Sequence, residues 1–176
     1  RGRLDDRAFI SDLTRVADLA KRPDGTRREV WITEMGWGTH VPHNAIGMDF
    51  RPTTERDQAK LLARAYIDAI ASGVAPNISW YDFRNDGNDP LNFEYNMGIV
   101  TRDFRPKPAY RAYATLTAML EGKRAAQPLD LGRDIIAWEF AGEAGREPIR
   151  VLWCTEANRT LDLPSGRPIV VVDLMG

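Results

Sequence analysis

The chain has 176 residues, 43% of them apolar and 28% charged, with 24 basic against 25 acidic side chains and a formal net charge of −1. That is the composition of an ordinary globular chain, and its near-zero charge leaves no field to hold nucleic acid or an anionic membrane as a partner. No apolar run approaches the roughly 18 residues of a membrane span, and the single Cys154 excludes an internal disulfide framework and a multi-cysteine zinc site.

Asp5 or Asp6 is placed to cap a helix whose stripe is Phe9, Ile10, Leu13, Val16, Ala17 and Ala20, and Pro23-Asp24-Gly25 ends it near Arg22. Residues 29–33, Glu-Val-Trp-Ile-Thr, are β-branched and aromatic with a turn before them and Gly36 and Gly38 after, which predicts a strand. A long loop, 34–52, follows and holds both histidines. Thr53 or Thr54 opens a second helix with Leu61, Leu62, Ala65, Tyr66, Ala69 and Ile70 inward and Asp57, Lys60, Arg64 and Asp68 toward water, stopped by Gly73. Residues 77–83 read as the next strand and 84–96 as its loop, and Pro108 starts a third helix that ends before Gly122.

Helix, strand, helix, strand, helix is the order of an α/β protein with a parallel sheet, either doubly wound or closed into a barrel. In both, chemistry gathers at the C-terminal ends of the strands, where Glu34 and Asp82 fall. Beyond Gly122 the pattern changes to short β-rich runs at 135–140, 149–154, 160–163 and 169–172, the spacing of a small antiparallel sandwich. The division is therefore 1–121 and 122–176, the second unit incomplete. With Arg1 at its start and an apolar stretch just before Gly176, the chain is expected to be a piece of something longer, and its compartment stays open.

Two constellations bear chemistry. In Trp31-Ile32-Thr33-Glu34-Met35-Gly36-Trp37 a carboxylate closes a buried strand, and period-two alternation puts Val30, Ile32 and Glu34 on one face, so that Glu34 points into a barrel mouth if the two aliphatic residues point into the barrel. The bland alternative is a strand-end glutamate paired with an arginine. In Trp80-Tyr81-Asp82-Phe83-Arg84-Asn85-Asp86-Gly87 aromatic and polar residues alternate at a strand end. Aromatic faces stack on the C–H groups of sugars while Asp, Asn and Arg bind hydroxyls, which suits a carbohydrate cleft; the alternative is that Trp80 and Tyr81 fill space between sheet and helices.

These two runs, together with Met97-Gly98-Ile99-Val100 and Lys107-Pro108-Ala109-Tyr110, resemble the C-terminal part of retaining glycoside hydrolases of clan A, nearest to the cellulase-like and xylosidase-like families five and thirty-nine. The resemblance implies a TIM (β/α)8 barrel in which 29–33 is strand seven and 77–83 strand eight, followed by a portion of a β-sandwich. It implies that Glu34 is the nucleophile of a double displacement and that Trp37, His40, Trp80, Asp82 and Arg84 line the substrate cleft. It implies an oligosaccharide, polysaccharide or glycoside as substrate and no cofactor.

The clan's acid/base glutamate follows an asparagine, and no Asn-Glu pair occurs here. Retention needs two carboxyl groups about 5 Å apart, so that residue is expected upstream, on barrel strands that act as this chain's partner, and the chain alone is not expected to be active. The competing reading is a non-catalytic carbohydrate-binding protein on the same fold. Other signals weigh less. His40 and His43 lack a third metal ligand in register, and Arg84 occupies an oxygen position of what would otherwise read as a calcium loop, so no metal is assigned. Glu94 is a stand-in acid at best, and Cys154 reads as inert core.

Overall fold

The structure is a computed structural model of the chain, and it describes residues 5–41, 52–143, 145–156, 158–163, 166 and 168–176. Helix α1 (Asp6–Leu19) is capped by Asp5, whose carboxylate accepts from the Ala8 N–H at 3.0 Å. It stops short of Arg22 because Pro23 forces the preceding residue out of the helical region. The chain then folds back, with Arg22 N–H donating to Thr26 O and Arg28 N–H to Ala20 O.

Strand β1 (Trp31–Met35) begins two residues later than the hydrophobic run suggests. Its frame is set by its partner, β2 (Asn77–Trp80), which pairs with it in parallel from Trp31↔Asn77 onward. Helix α2 (Glu55–Ala71) connects the two. Thr54 caps it by accepting from the Asp57 N–H at 3.0 Å, and Glu55 and Asp57 in its first turn complement the helix dipole. After β2 comes an irregular stretch with a single 3₁₀ turn, Glu94–Asn96, and then α3 (Pro108–Leu120), which starts on a proline and is followed by Gly122 at φ +65°.

A second sheet follows: β3 (Lys123–Pro128), β4 (Ile135–Gly142) and β5 (Ile149–Cys154), antiparallel in the order β3-β4-β5. Strand β3 is polar and ends on proline, which hid it in the sequence. The runs expected as strands at 160–163 and 169–172 form none among the described residues. Ile169, Val170, Val171 and Val172 are exposed; strand propensity is realised only against a neighbouring strand, and none is paired with them.

Two apolar clusters hold the molecule together. Leu13, Ala17, Ala69 and Val74 meet Val30, Ile32 and Ile78, fixing α1 and α2 on one face of the β1–β2 pair. Leu62, Tyr66, Ile67, Ala109, Ala112 and Leu116 meet Phe140 of β4, with Met35 and Trp80 on one flank and Trp138, Ile149 and Val151 on the other. Burying Phe140, 1% exposed, contributes about 1.5–3 kcal/mol. Helix α2 thus lies between two sheets, which is why it is buried on more than one stripe. Asp68, expected to face water, is fully buried beneath the second sheet, and Ile70, expected inward, is exposed.

Candidate active site

The alternation expected for β1 is interrupted. Pairing runs from Ile32↔Ile78 directly to Met35↔Trp80, so Thr33 and Glu34 together face Ser79 alone. This is a β-bulge, which re-aims the side chains around it. Val30, Ile32 and Met35 pack against the helices. The conditional reading that sent Val30 and Ile32 into a barrel together with Glu34 is therefore corrected: they face outward to the helices, and Glu34 escapes their face because of the extra residue. The opposite face carries Trp31, 60% exposed, and the exposed Thr33, Glu34, Asn77 and Ser79.

Past the bulge the two strands stay in contact, Tyr81 N–H donating to Met35 O at 2.8 Å. Gly36 follows, and a Cβ there would stand 2.0 Å from the Tyr81 carbonyl oxygen, so only glycine permits the approach. Trp37 comes next and meets Trp80 with ring centroids 5.8 Å apart and planes inclined by 36°. Trp80 is half-buried against the main core, and its indole N–H finds no acceptor among the described residues. Gln58, fully buried on α2, donates from Nε2 to Trp37 O at 2.7 Å and to Met97 O at 3.1 Å.

His40 lies inside the loop cluster, 6% exposed, with Phe93 edge-on to its ring at 5.4 Å. His43 lies outside the described residues. Asp82 sits just beyond β2 with Oδ1 buried and without a hydrogen-bond partner among the described residues. Burial, and secondarily the Asp86 carboxylate, push its pKa up to about 6, while Lys107 and Arg84 pull it down. Asp86 Oδ2 accepts from the Tyr81 hydroxyl at 3.2 Å. Arg84 lays its guanidinium over the Phe104 ring, 4.8 Å from the centroid. Glu94 is exposed in the 3₁₀ turn.

Glu34, Trp37, Trp80 and Asp82 are thus gathered where β1 and β2 end, while His40 and Arg84 are engaged with aromatic rings of the same loops. Two residues to which the sequence assigns no role organise the place. Gln58 left a trace, a polar side chain one turn ahead of Leu61 and Leu62 in an apolar stripe. Lys107 stands in the Lys107-Pro108-Ala109-Tyr110 run but nothing local marks it as buried: 2% exposed, its ammonium donates to Thr39 Oγ1 at 3.1 Å, Asn85 Oδ1 at 2.9 Å and Asn96 O at 3.2 Å. Among the described residues no three His, Cys, Asp or Glu side chains cluster to hold a metal ion.

No protein-family model and no curated protein matches the chain. Among solved structures it is similar to a family 39 glycoside hydrolase from the gut symbiont Bacteroides cellulosilyticus WH2, with 29% identity and a TM-score of 0.68 over 89% of this chain and 30% of that one. It is also similar to a GH5_18 protein from Bifidobacterium longum subsp. longum in complex with Manb1-4GlcNAc, with 20% identity and a TM-score of 0.48 over 71% of this chain and 28% of that one. The chain spans about 30% of the length of the family 39 enzyme. That likeness accords with the resemblance carried by residues 32–37 and 80–87: over most of its length this chain is similar to part of a family 39 glycoside hydrolase.

Proposed function

We propose that the chain is the nucleophile-bearing part of a retaining glycoside hydrolase. On this reading β1 and β2 are strands seven and eight of a TIM barrel, residues 1–121 complete its last βα units, and 122–176 are a C-terminal β unit laid on the outside of α2 and α3. The observation that carries it is Glu34: a carboxylate at a bulge, exposed on the face turned away from the helices, with the Trp37–Trp80 pair and Asp82 beside it at the strands' C-terminal ends.

The chemistry is a double displacement on a carbohydrate. A Glu34 carboxylate oxygen attacks the anomeric carbon and the bond to the leaving oxygen breaks, that oxygen taking a proton from a second carboxylic acid on the barrel strands upstream. The same group, now a carboxylate, deprotonates a water that attacks the anomeric carbon and releases Glu34. Trp37 and Trp80 offer apolar ring surface to the sugar, and the partly exposed carboxylate of Asp82 accepts from a hydroxyl. His40, edge-on to Phe93, and Arg84, over Phe104, belong to the same lining.

The test is covalent trapping in the full-length protein. A 2-fluoro glycoside inactivator should leave its sugar on the peptide containing Glu34, found by mass spectrometry, and Glu34→Gln should lower kcat by several powers of ten. Label on another carboxylate would refute the assignment. Saturable sugar binding without turnover would favour the non-catalytic reading.

A further inference from the structure

We propose that Lys107 is a positioning residue: its buried ammonium couples the loop after β1 to the loop after β2 and so sets Trp37 against Trp80 and fixes the surroundings of Asp82. That these loops frame a sugar site rests on the glycosidase reading above; the coupling itself does not.

Lys107 stands just before the first turn of α3, and its own N–H donates to Ile99 O at 3.0 Å, so the side chain leaves from a fixed point. An ammonium has three donors, and all three are used. One goes to Thr39 in the loop after β1; the other two go to Asn85 and Asn96 in the loop after β2. The acceptors are themselves cross-linked. Thr39 N–H donates to Asn96 O at 3.0 Å, and Gly98 N–H to Asn85 Oδ1 at 3.0 Å. Gly98 approaches so closely that an added Cβ would lie 2.2 Å from Asn85 N.

Among the described residues no carboxylate pairs with this cation. Burying an ion costs several kcal/mol even after relaxation, so a methionine of similar length would fill the space with less penalty. A lysine is explained by what it holds: three oxygens from two loops that share no strand pairing in this region. Burial pushes its pKa down to about 8, against the opposing pull of Glu55 and Asp82, with Arg105 adding to the depression. Asp82 in turn faces Asp86, Arg84 and Lys107, and Lys107 is one of the positive charges that restrain its rise.

Two variants of the full-length protein test the coupling, Lys107→Met and Thr39→Val, read by amide hydrogen exchange and by the pH dependence of glycoside binding. Lys107→Met should speed exchange at least about tenfold in peptides covering 36–41 and 84–98 while leaving α1 and β3–β5 at wild-type rates. Thr39→Val, which removes one acceptor of the ammonium together with the Thr39 Oγ1–H donation to Asn96 O at 3.2 Å, should loosen 36–41 and the stretch around Asn96 while leaving the stretch around Asn85, still held by Lys107, at wild-type rates. The acid limb of binding should move to higher pH in Lys107→Met and stay in place in Thr39→Val, because only the first removes a charge near Asp82. Unchanged exchange in both loops, uniform loosening of the whole chain, or an acid limb unmoved in Lys107→Met would overturn the proposal. Should Lys107→Met fail to fold, unchanged exchange at 36–41 in Thr39→Val would overturn it instead. A protein that binds no glycoside defeats the glycosidase reading and leaves exchange to decide the coupling.

Discussion

Gly36 and Tyr81 meet backbone to backbone: a Cβ on Gly36 would lie 2.0 Å from Tyr81 O, 3.1 Å from Tyr81 C and 2.8 Å from Met97 Cε. The methionine end could move aside, but the carbonyl could not, since its strand is tied to Met35 by the Tyr81 N–H. This contact brings the two strand ends together just after the bulge, and everything proposed for the site is mounted on it.

Gly36→Ala should therefore push β1 and β2 apart at their C-terminal ends. Inserting a methyl against fixed backbone costs at the upper end of overpacking, about 3 kcal/mol or more. The expected outcome is a lower Tm together with loss of carbohydrate binding in the full-length protein, and Gly166→Ala serves as the control for a generic glycine effect, because an added Cβ there meets nothing within 4 Å and its backbone lies outside the left-handed region. A wild-type Tm for Gly36→Ala would mean the strand ends are less constrained than the contact implies.

Trp37 and Trp80 should part company when each is cut to alanine. Trp80 leans on the core shared by α2 and α3, so Trp80→Ala should lose about 3 kcal/mol of stability as well as sugar affinity. Trp37 belongs to neither apolar cluster and is held through its carbonyl by Gln58, so Trp37→Ala should keep its Tm within a few degrees and lose about 2 kcal/mol of binding, some thirtyfold in Kd. Calorimetric unfolding and sugar titration on the same samples check both. Equal Tm losses in the two variants would show that the indole pair is simply core.

Much of this arrangement is legible in the residues. The caps Asp5 and Thr54, the proline opening α3 and the glycines closing α2 and α3 mark the helices, and the chain's alternation of helix and strand follows from them. Strands β4 and β5 stand out because their apolar runs are bounded by turn residues. What is hidden depends on long-range pairing. The frame of β1 comes from its register with β2, and the extra residue at Thr33–Glu34 has no local signature. Asp68 looks like a wet helix position because nothing near it in sequence announces β4 above it. Ile169 to Val172 has strand composition without a strand beside it, and Lys107 is buried by loops that converge from 39, 85 and 96. Local rules find elements; partners decide which faces they bury.

Asp68 supplies a prediction about stability rather than activity. It lies fully buried on α2, with Oδ1 accepting from the Trp138 indole N–H at 3.1 Å and Oδ2 unpartnered among the described residues. Nearby, Asp6 is buried and pairs with Arg64, whose Nε donates to Asp6 Oδ1 at 2.8 Å, and the Arg64 guanidinium stands 5.8 Å from the centre of the Trp153 ring. Burial raises the Asp68 pKa from 3.8 to about 7, with the Asp6 carboxylate adding to the rise and the Trp138 bond and Arg64 opposing it. The native state therefore keeps a proton between about pH 4 and 7 that the unfolded chain has released, so this residue's contribution to stability falls as pH rises through that window and the full cost of the buried charge is present above pH 7. Asn at this position can still accept from Trp138 and carries no charge. Asp68→Asn should match wild type near pH 4 and exceed it by about 2–4 kcal/mol at pH 8, seen as a Tm difference that opens with pH. A variant less stable than wild type at pH 8 would show that the ionised carboxylate has a favourable partner across the interface between α2 and β4, and that Arg64 serves both aspartates.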